Sequence, residues 1–85
     1  MAYEIAFVPS ARRELQKLPR EVQLRLNRRI TLLSYDPRPP GSKKLKGRDE
    51  LWRIRINDYR VVYEVRDRIL VVLVVRIAHR RDVYR

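Results

Sequence analysis

The sequence predicts an α+β domain in which a helical hairpin packs on one face of a mostly antiparallel sheet. Three observations support this class. An alternating apolar segment opens the chain, two segments with helical apolar spacing follow, and three strand-like segments joined by short turns close it. The 85 residues are expected to form one domain, 1–85, with the element order β-α-α-β-β-β and four strands in the sheet.

The first strand and the first helix are predicted from the start of the chain. Residues Ala2 to Val8 alternate loosely and contain Tyr, Ile, Phe and Val, which favours a strand. Pro9 and Ser10 then open a helix, with Ser10 as its expected N-cap. The apolar stripe of this helix has spacings of four and three and consists of Ala11, Leu15 and Leu18.

A second helix is predicted to start at Pro19, because proline is tolerated in the first helical turn. Its buried stripe is expected to consist of Val22, Leu26, Ile30 and Leu33. Its outward side is expected to carry Gln23, Arg25, Arg28 and Arg29. The short link to the first helix indicates an antiparallel helical hairpin, and the proline-rich segment Asp36 to Gly41 ends it.

Three successive strands are predicted after a basic loop at Ser42 to Gly47. They span Leu51–Ile56, Tyr59–Arg66 and Ile69–Ala78, with turns at Asn57-Asp58 and Asp67-Arg68. The third strand is apolar almost throughout, so we expect it to be central and covered on both faces. Residues 79–85 are expected to form no more than one turn of helix or a tail.

Arginines concentrate on one face of the first predicted hairpin. Because strand side chains alternate, Trp52 belongs to the core face and Arg53 and Arg55 to the other. A turn at Asn57-Asp58 places Arg55 opposite Arg60, and Arg53 opposite Val62. Facing guanidiniums repel each other, so a surface that keeps them is typical of an anion-binding site. Trp52 and Tyr63 are interpreted as core packing.

The charge of +11 is large for one domain, and arginine supplies 17 of the 21 basic residues. Arginine matches phosphate geometry, so this composition indicates a polyanion-binding protein, although a merely soluble basic surface is the alternative. The chain has no cysteine and one histidine, so we expect no metal site and no cofactor. The longest apolar run, Ile69 to Val75, is too short to span a membrane, and the start lacks a signal-peptide pattern. We therefore expect a cytoplasmic protein without a membrane partner.

Four segments, in order, resemble the RelE-type toxins of the RelE/ParE superfamily. They are YEIAFVPSARRELQKLP at 3–19, KKLKG at 43–47, LWRIRINDYRVVYEV at 51–65 and IAHRRDVY at 77–84. RelE-type toxins are small ribosome-dependent mRNA endonucleases of toxin–antitoxin modules. The resemblance implies metal-independent cleavage in which the RNA 2′-hydroxyl attacks the adjacent phosphate.

The resemblance also implies a site. Its expected catalytic residues are Arg53, Arg55, Arg60, His79, Arg80 and Tyr84. In the family pattern, lysines stand where this chain has Arg53, Arg55 and His79. Because arginine stays charged, neither arginine is a suitable general base, whereas histidine titrates near neutrality and is a candidate acid or base. Tyr84 is expected to stack on a base or orient the 2′-hydroxyl.

Further RNA contacts are expected from charges outside this cluster. These residues are Lys43, Lys44, Lys46, Arg25, Arg28 and Arg29. The expected partners are mRNA in the ribosomal decoding site and a cognate RelB-like antitoxin with an acidic, partly disordered segment. The alternative on the same scaffold is a ParE-like toxin that inhibits DNA gyrase without catalysis. A plain RNA-binding module is a third interpretation, which explains the charge but not its clustering.

Overall fold

The computed structural model describes residues 2–47 and 50–83 and forms one five-stranded sheet with helices. Its elements in chain order are β1 Glu4–Phe7, α1 Pro9–Gln16, α2 Arg20–Leu32, β2 Lys43–Lys44, β3 Leu51–Ile56, β4 Tyr59–Arg66, β5 Val71–His79 and α3 Arg80–Val83. The strand order is β1-β5-β4-β3-β2, with β1 parallel to β5 and the other neighbours antiparallel. The predicted α+β class is confirmed. The predicted number of strands was four, and the additional strand is β2.

The extra strand β2 lies within the segment that the sequence predicted to be a basic loop. Lys43 pairs with Arg53 and Lys44 with Trp52. Two consecutive lysines carry no alternating apolar pattern, so their extended conformation comes from backbone pairing with β3 and not from burial of their own side chains. Both lysines are exposed at the edge of the sheet, where charged residues discourage pairing with another chain.

The core lies between the helices and one face of the sheet. Its buried residues come from α1, from α2 and its C-cap Leu33, and from alternate positions of β3 and β4. In β5 they are Val72, Val74 and Ile77, because the ladder shifts between Val74 and Ile77. The helical stripes are confirmed at Ala11, Leu15, Leu26, Ile30 and Leu33. Tyr63 is fully buried, as predicted, and Trp52 packs half-buried against the same core. The other face of the sheet, which we call the open face, carries the remaining alternate side chains.

Two predicted helix starts differ in detail from the structure. The N-cap of α1 is Val8 in an extended conformation, and no side chain caps this end, so the predicted capping role of Ser10 is wrong. Pro9 occupies the first helical position, where its fixed φ fits and its missing N–H costs no hydrogen bond. Pro19 is the N-cap of α2, and the helix proper begins at Arg20.

Strand β5 is central, as predicted, but it is covered on one face only. Val72 and Val74 are fully buried toward the helices, whereas Leu73 is only half-buried on the open face. The strand also begins later than predicted, at Val71, because the β4–β5 turn takes four residues and includes Leu70 with φ of 54°. The ladder between β4 and β5 then shifts by one residue beside Tyr63.

The end of the sheet remote from the β3–β4 turn is fixed by an ionic network. The Asp67 carboxylate accepts two hydrogen bonds from the Arg38 guanidinium, at 2.7 and 3.3 Å, and one from the Tyr3 hydroxyl at 2.6 Å. The Arg38 guanidinium, followed by Tyr3, lowers the pKa of the Asp67 carboxyl, and the bond to Asp67 raises the pKa of Tyr3. Arg38 also lies over the Trp52 ring, 5.4 Å from its centroid. The network joins the proline-rich segment, through Arg38, to the β4–β5 turn and to Trp52 of β3.

Within the described residues 2–47 and 50–83, every helix is too short or too polar to cross a lipid bilayer.

Candidate nucleic-acid site

The open face carries two adjacent rows of side chains, set by the pairing of three strands. In one row Arg55 of β3 pairs with Arg60 of β4, which pairs with Ala78 of β5. The predicted opposition of Arg55 and Arg60 is therefore confirmed. The turn that produces this register is Asn57-Asp58, where Asn57 adopts φ of 55°, a left-handed conformation that asparagine tolerates.

The next row consists of Arg53, Val62 and Arg76. Arg53 pairs with Val62, as predicted, and Val62 pairs with Arg76 on the central strand. Lys43 of β2 extends this row on the far side of Arg53. The two rows together place four guanidiniums and one ammonium group on the same surface, since residues in register across a sheet share a face.

A cavity of about 500 Å³, which we call the turn cleft, lies at the end of the first row. It is lined by Arg55, Asn57, Asp58, Tyr59, Arg60, Arg80 and Arg81. Three of the predicted catalytic arginines, from β3, β4 and α3, therefore line a single cavity. Their guanidiniums are donors with no accessible neutral form, which suits them to bind a phosphodiester and to stabilise additional negative charge on it.

A smaller cavity of about 150 Å³, which we call the arginine basin, adjoins the turn cleft. It is lined by Leu45, Arg53, Arg60, Val62, Arg76 and Ala78. Arg60 lines both cavities, so the two form one continuous surface, which we call the arginine surface. The structure thus brings together Arg53, Arg55, Arg60 and Arg80.

Arg80 is held at the turn cleft by the start of α3. Its backbone N–H donates to the carbonyl oxygen of Asp58 at 2.6 Å. Its Nη1 lies 3.9 Å from Oδ1 of Asp58, and both side chains are about two-thirds exposed. Such an exposed ion pair contributes little to stability. The backbone bond is therefore the contact that fixes the position of α3 over the β3–β4 turn.

His79 lies on the other side of the sheet from the arginines. It pairs with Tyr59, and the two rings meet edge to face with centroids 5.1 Å apart. Its Nδ1 accepts a hydrogen bond from the backbone N–H of Arg81 at 3.2 Å. In the neutral ring, this bond places the proton on Nε2. The structure therefore gives His79 the position of an N-terminal cap on α3, apart from the arginines with which the sequence had grouped it.

The other predicted contact residues divide into three groups. Lys43 and Lys44 are exposed beside β3, and Lys46 is exposed shortly after them. The arginines of the second helix, Arg25, Arg28 and Arg29, are exposed on α2, which packs on the core face, so the structure does not join them to the open face. Tyr84 lies outside the described residues.

Arg76 and Arg81 line the surface, although the sequence interpretation did not include them. A signal for Arg76 was present, because it is the only charged residue in the apolar run from Ile69 to Ala78. An arginine in a central strand needs a solvated face, and that face is the arginine surface. Arg81 gave no comparable signal, since it stands among polar residues at the end of the chain.

Among the described residues no group of histidine and carboxylate side chains is placed to hold a metal ion. The open face is instead dominated by fixed positive charge. This arrangement can align a polyanion, neutralise its phosphates and stabilise a more highly charged transition state.

Comparison with known proteins identifies similar chains. A family model described as ParE toxin of the type II toxin–antitoxin system parDE matches residues 5–84. Toxin RelG of Mycobacterium tuberculosis is 31% identical over 86 residues, covering 100% of this chain and 99% of RelG. The crystal structure of an archaeal RelE–RelB complex from Pyrococcus horikoshii is 29% identical, with a TM-score of 0.83, over 94% of this chain and 97% of that one. The isolated Escherichia coli RelE toxin is 30% identical, with a TM-score of 0.82, over 92% and 84% of the two chains.

Proposed function

Because the chain belongs to the RelE/ParE superfamily of toxins from type II toxin–antitoxin systems, we propose that it is a ribosome-dependent mRNA endonuclease that stops translation. The predicted resemblance to this superfamily is confirmed by the matches to the family model and to the RelE structures. Membership of the superfamily does not fix the reaction, and mRNA cleavage is what we propose. It depends on the arginine surface.

The observation that carries the proposal is the convergence of four guanidiniums on the open face. Arg53, Arg55, Arg60 and Arg80 come from two strands and a helix, yet they line two adjoining cavities. Bringing like charges together costs stability, and a phosphodiester chain offsets that cost on binding. A gyrase-binding surface or a plain RNA-binding module has no need of such a compact arrangement.

The proposed reaction uses the 2′-hydroxyl of the RNA as its nucleophile. The 2′-oxygen attacks the adjacent phosphorus and forms a new P–O bond, while the bond from phosphorus to the 5′-oxygen breaks. A general base takes the proton of the 2′-hydroxyl, and a general acid gives a proton to the departing 5′-oxygen. The products are a 2′,3′-cyclic phosphate and a free 5′-hydroxyl. Charge accumulates on the phosphorus oxygens in between, and preorganised cations stabilise it.

Each arginine has a role that its place suggests. Arg53, Arg55 and Arg60 form the cradle for the phosphate oxygens, and Arg80, which lines the turn cleft from α3, contacts the scissile phosphate. There Arg80 stabilises the charged intermediate or assists the departure of the 5′-oxygen. Tyr84 keeps its predicted role of stacking on a base or orienting the 2′-hydroxyl. The general base is left unassigned, since arginine remains protonated.

We assign His79 a positioning role instead of the acid–base role that the sequence suggested. Its ring lies on the helix side of β5, against Tyr59, and its Nδ1 is engaged with the backbone of α3. Capping this turn orients the segment that carries Arg80. The charge of the surrounding surface is supplemented by Lys43, Lys44 and Lys46, which attract phosphates without specificity.

The shallow form of the site fits a substrate positioned by a larger assembly. The turn cleft is bordered by exposed side chains, including Arg55 and Arg80, and offers little apolar enclosure. We infer that the ribosomal decoding site holds the message while the arginines supply charge. Action on translating ribosomes places the protein in the cytoplasm.

A cognate antitoxin is the proposed protein partner. The similar archaeal RelE was crystallised as a complex with RelB, and the net charge of +11 favours an acidic, partly disordered segment that folds on binding. The arginines Arg25, Arg28 and Arg29 lie away from the arginine surface, on α2, and we assign them to this acidic partner in place of RNA.

The proposal is tested by cleavage of mRNA in translating ribosomes, with Arg80→Ala as the central variant. Removing one donor that stabilises transition-state charge is expected to lower the cleavage rate by about 10²–10³-fold. The Arg80 side chain is 67% exposed, so folding should persist. The matched control is Arg68→Ala, which removes one exposed arginine from the β4–β5 turn and should cleave normally. Unchanged cleavage by Arg80→Ala contradicts the assignment.

The alternative is a ParE-like inhibitor of DNA gyrase, favoured by the description of the matching family model. It predicts loss of supercoiling activity in a gyrase assay while mRNA on ribosomes stays intact. The cleavage product also separates the two, because 2′,3′-cyclic phosphate ends on the ribosome-bound message are expected only from the nuclease.

A further inference from the structure

The arginine basin differs in chemistry from the turn cleft beside it. Its floor is aliphatic, formed by Val62 and Ala78, and Leu45 lies at its edge. The side chains of Arg53, Arg60 and Arg76 complete its lining. The turn cleft, in contrast, presents arginines and the polar β3–β4 turn. A phosphate gains nothing from an aliphatic floor, because contact with it removes water from the anion without replacing the lost hydrogen bonds.

We propose that the arginine basin binds one nucleobase of the RNA and that Arg76 stacks on it. The choice of RNA as ligand rests on the proposed function, and the proposal extends that function to a specific subsite and residue. A flat heteroaromatic ring satisfies both parts of the basin, since it can lie against aliphatic groups and also stack on guanidinium planes.

The size and register of the basin fit this occupant. Its volume of about 150 Å³ is well below the roughly 300–1,000 Å³ of pockets that enclose whole drug-sized ligands. Arg53 and Arg76 are both partners of Val62, on opposite sides of it, so their Cα atoms are separated by two strand spacings, roughly 10 Å. Their long side chains can lean inward over the floor and leave a slot for a ring.

The edge of the basin is held by backbone contacts. The N–H of Leu45 donates to the carbonyl oxygen of Leu51 at 2.9 Å, which keeps Leu45 beside β3. The floor residue Ala78 is 7% exposed, although it points away from the core cluster. Its methyl group is therefore covered by the surrounding long side chains. These contacts form the floor before any ligand is present.

Arg60 connects the two cavities. Because it lines both, a phosphate in the turn cleft places an adjacent nucleotide next to the basin. A chain crossing this surface would thus be held by charge at one point and by stacking at the other. Arg76 lines the basin but not the turn cleft, so a variant of Arg76 separates the two contributions.

The experiment measures binding without ribosomes, so that it stands apart from the cleavage assay. The ligands are a 2′-O-methylated triribonucleotide, which cannot be cleaved, and analogues with an abasic sugar at each position in turn. The protein carries labelled valine and alanine methyl groups for NMR. The methyl resonances of Val62 and Ala78 should shift with the complete trinucleotide, through the ring current of the base, and lose this shift with one abasic analogue.

The affinity of Arg76→Lys decides between stacking and charge. Lysine keeps the charge but lacks the planar guanidinium, so the variant should bind the complete trinucleotide more weakly than wild type does, by about tenfold or more. The abasic analogue that loses the methyl shifts should bind the variant and the wild type equally well. Equal weakening for both ligands, or full affinity of Arg76→Lys, overturns the inference. Arg68→Lys is the matched control and should change neither affinity.

A second variant, Ala78→Val, fills the floor and leaves every arginine in place. This variant should bind the complete trinucleotide more weakly than wild type does, and its affinity for the abasic analogue should fall less. If the variant binds both ligands as tightly as wild type does, no base occupies the basin. If Ala78→Val fails to fold, Arg76→Lys remains decisive, since Arg76 is exposed.

Normal ribosomal cleavage without base-dependent methyl shifts refutes this inference alone. Base-dependent shifts without cleavage refute the proposed function alone.

Discussion

The buried phenol of Tyr63 anchors the loop that leads to the basic strand β2. Its O–H donates to the carbonyl oxygen of Pro37 at 2.7 Å, and the side chain is fully buried. In Tyr63→Phe the ring remains, but the Pro37 carbonyl oxygen loses this buried donor. Leaving such a group unsatisfied costs about 1–3 kcal/mol. We therefore expect the free energy of unfolding at pH 7 to fall by that amount.

The pH dependence of the same variant gives a second, independent signature. Burial raises the pKa of Tyr63 from 10.0 to about 12. Between these values the unfolded chain releases the phenolic proton and the native state keeps it, so wild-type stability falls as pH rises. The loss approaches about 1.4 kcal/mol per pH unit, and it amounts to about 1.4 kcal/mol at pH 11. Tyr63→Phe lacks this loss, so the stabilities should converge above pH 10.

Urea unfolding followed by the fluorescence of Trp52 measures both effects at pH 7, 10 and 11. Tyr35→Phe is the control, because it removes a hydroxyl from a side chain that is 76% exposed. It should leave stability at pH 7 unchanged. Equal stability of wild type and Tyr63→Phe at pH 7, or a constant difference between them from pH 7 to 11, would refute the reasoning.

Three further predictions concern other contacts. Glu14 Oε1 accepts the backbone N–H of Ile77 at 2.9 Å, so Glu14→Ala should lose about 1–3 kcal/mol in urea unfolding, and a smaller loss is expected for Glu14→Gln, which keeps an acceptor. Arg38 lowers the pKa of Asp67 below its ordinary value of 3.8, so Asp67→Asn should be less stable than wild type at neutral pH. Thermal unfolding should show that this difference in stability shrinks as the pH falls below 3.8. A difference that does not depend on pH would count against the ion pair. Asparagine can still cap α3, so His79→Asn should keep the ribosomal cleavage activity, whereas His79→Ala should lower it. An equal loss of cleavage activity in both variants would favour an acid–base role for His79.

The hairpin that carries the site could be predicted from the sequence because its determinants are local. A two-residue turn at Asn57-Asp58 and the alternation on either side fix the pairing of Arg55 with Arg60. The helical stripes were equally accessible, since α-helical spacing is a property of consecutive residues. Strand β2 was not, because Lys43 and Lys44 become a strand only through pairing with a partner outside their own segment.

Which side chains of β5 lie on the open face depended on features that the sequence did not reveal. A two-residue turn at Asp67-Arg68 would pair Arg60 with Val75, but the longer turn and the shifted ladder pair it with Ala78. Because strand side chains alternate, this offset decides which residues of β5 share the face of Arg60. It places Arg76 on the open face and His79 on the helix side, which local patterns could not establish.

The one-residue slip between β4 and β5 decides which side chains in the second half of β5 face solvent. If the pairing of Tyr63 with Val74 continued without interruption, Arg76 would fall opposite Val61, which is wholly buried, and its guanidinium would have to enter the apolar interior. Val75 is the extra residue of this slip, because Val74 pairs with Tyr63 and Arg76 pairs with Val62. Removing Val75 would therefore leave a continuous ladder with Arg76 still opposite Val62. In descendants of this gene, the fold should therefore tolerate a frame-preserving loss of the Val75 codon more readily than the gain of a codon beside it, which would move Arg76 opposite Val61.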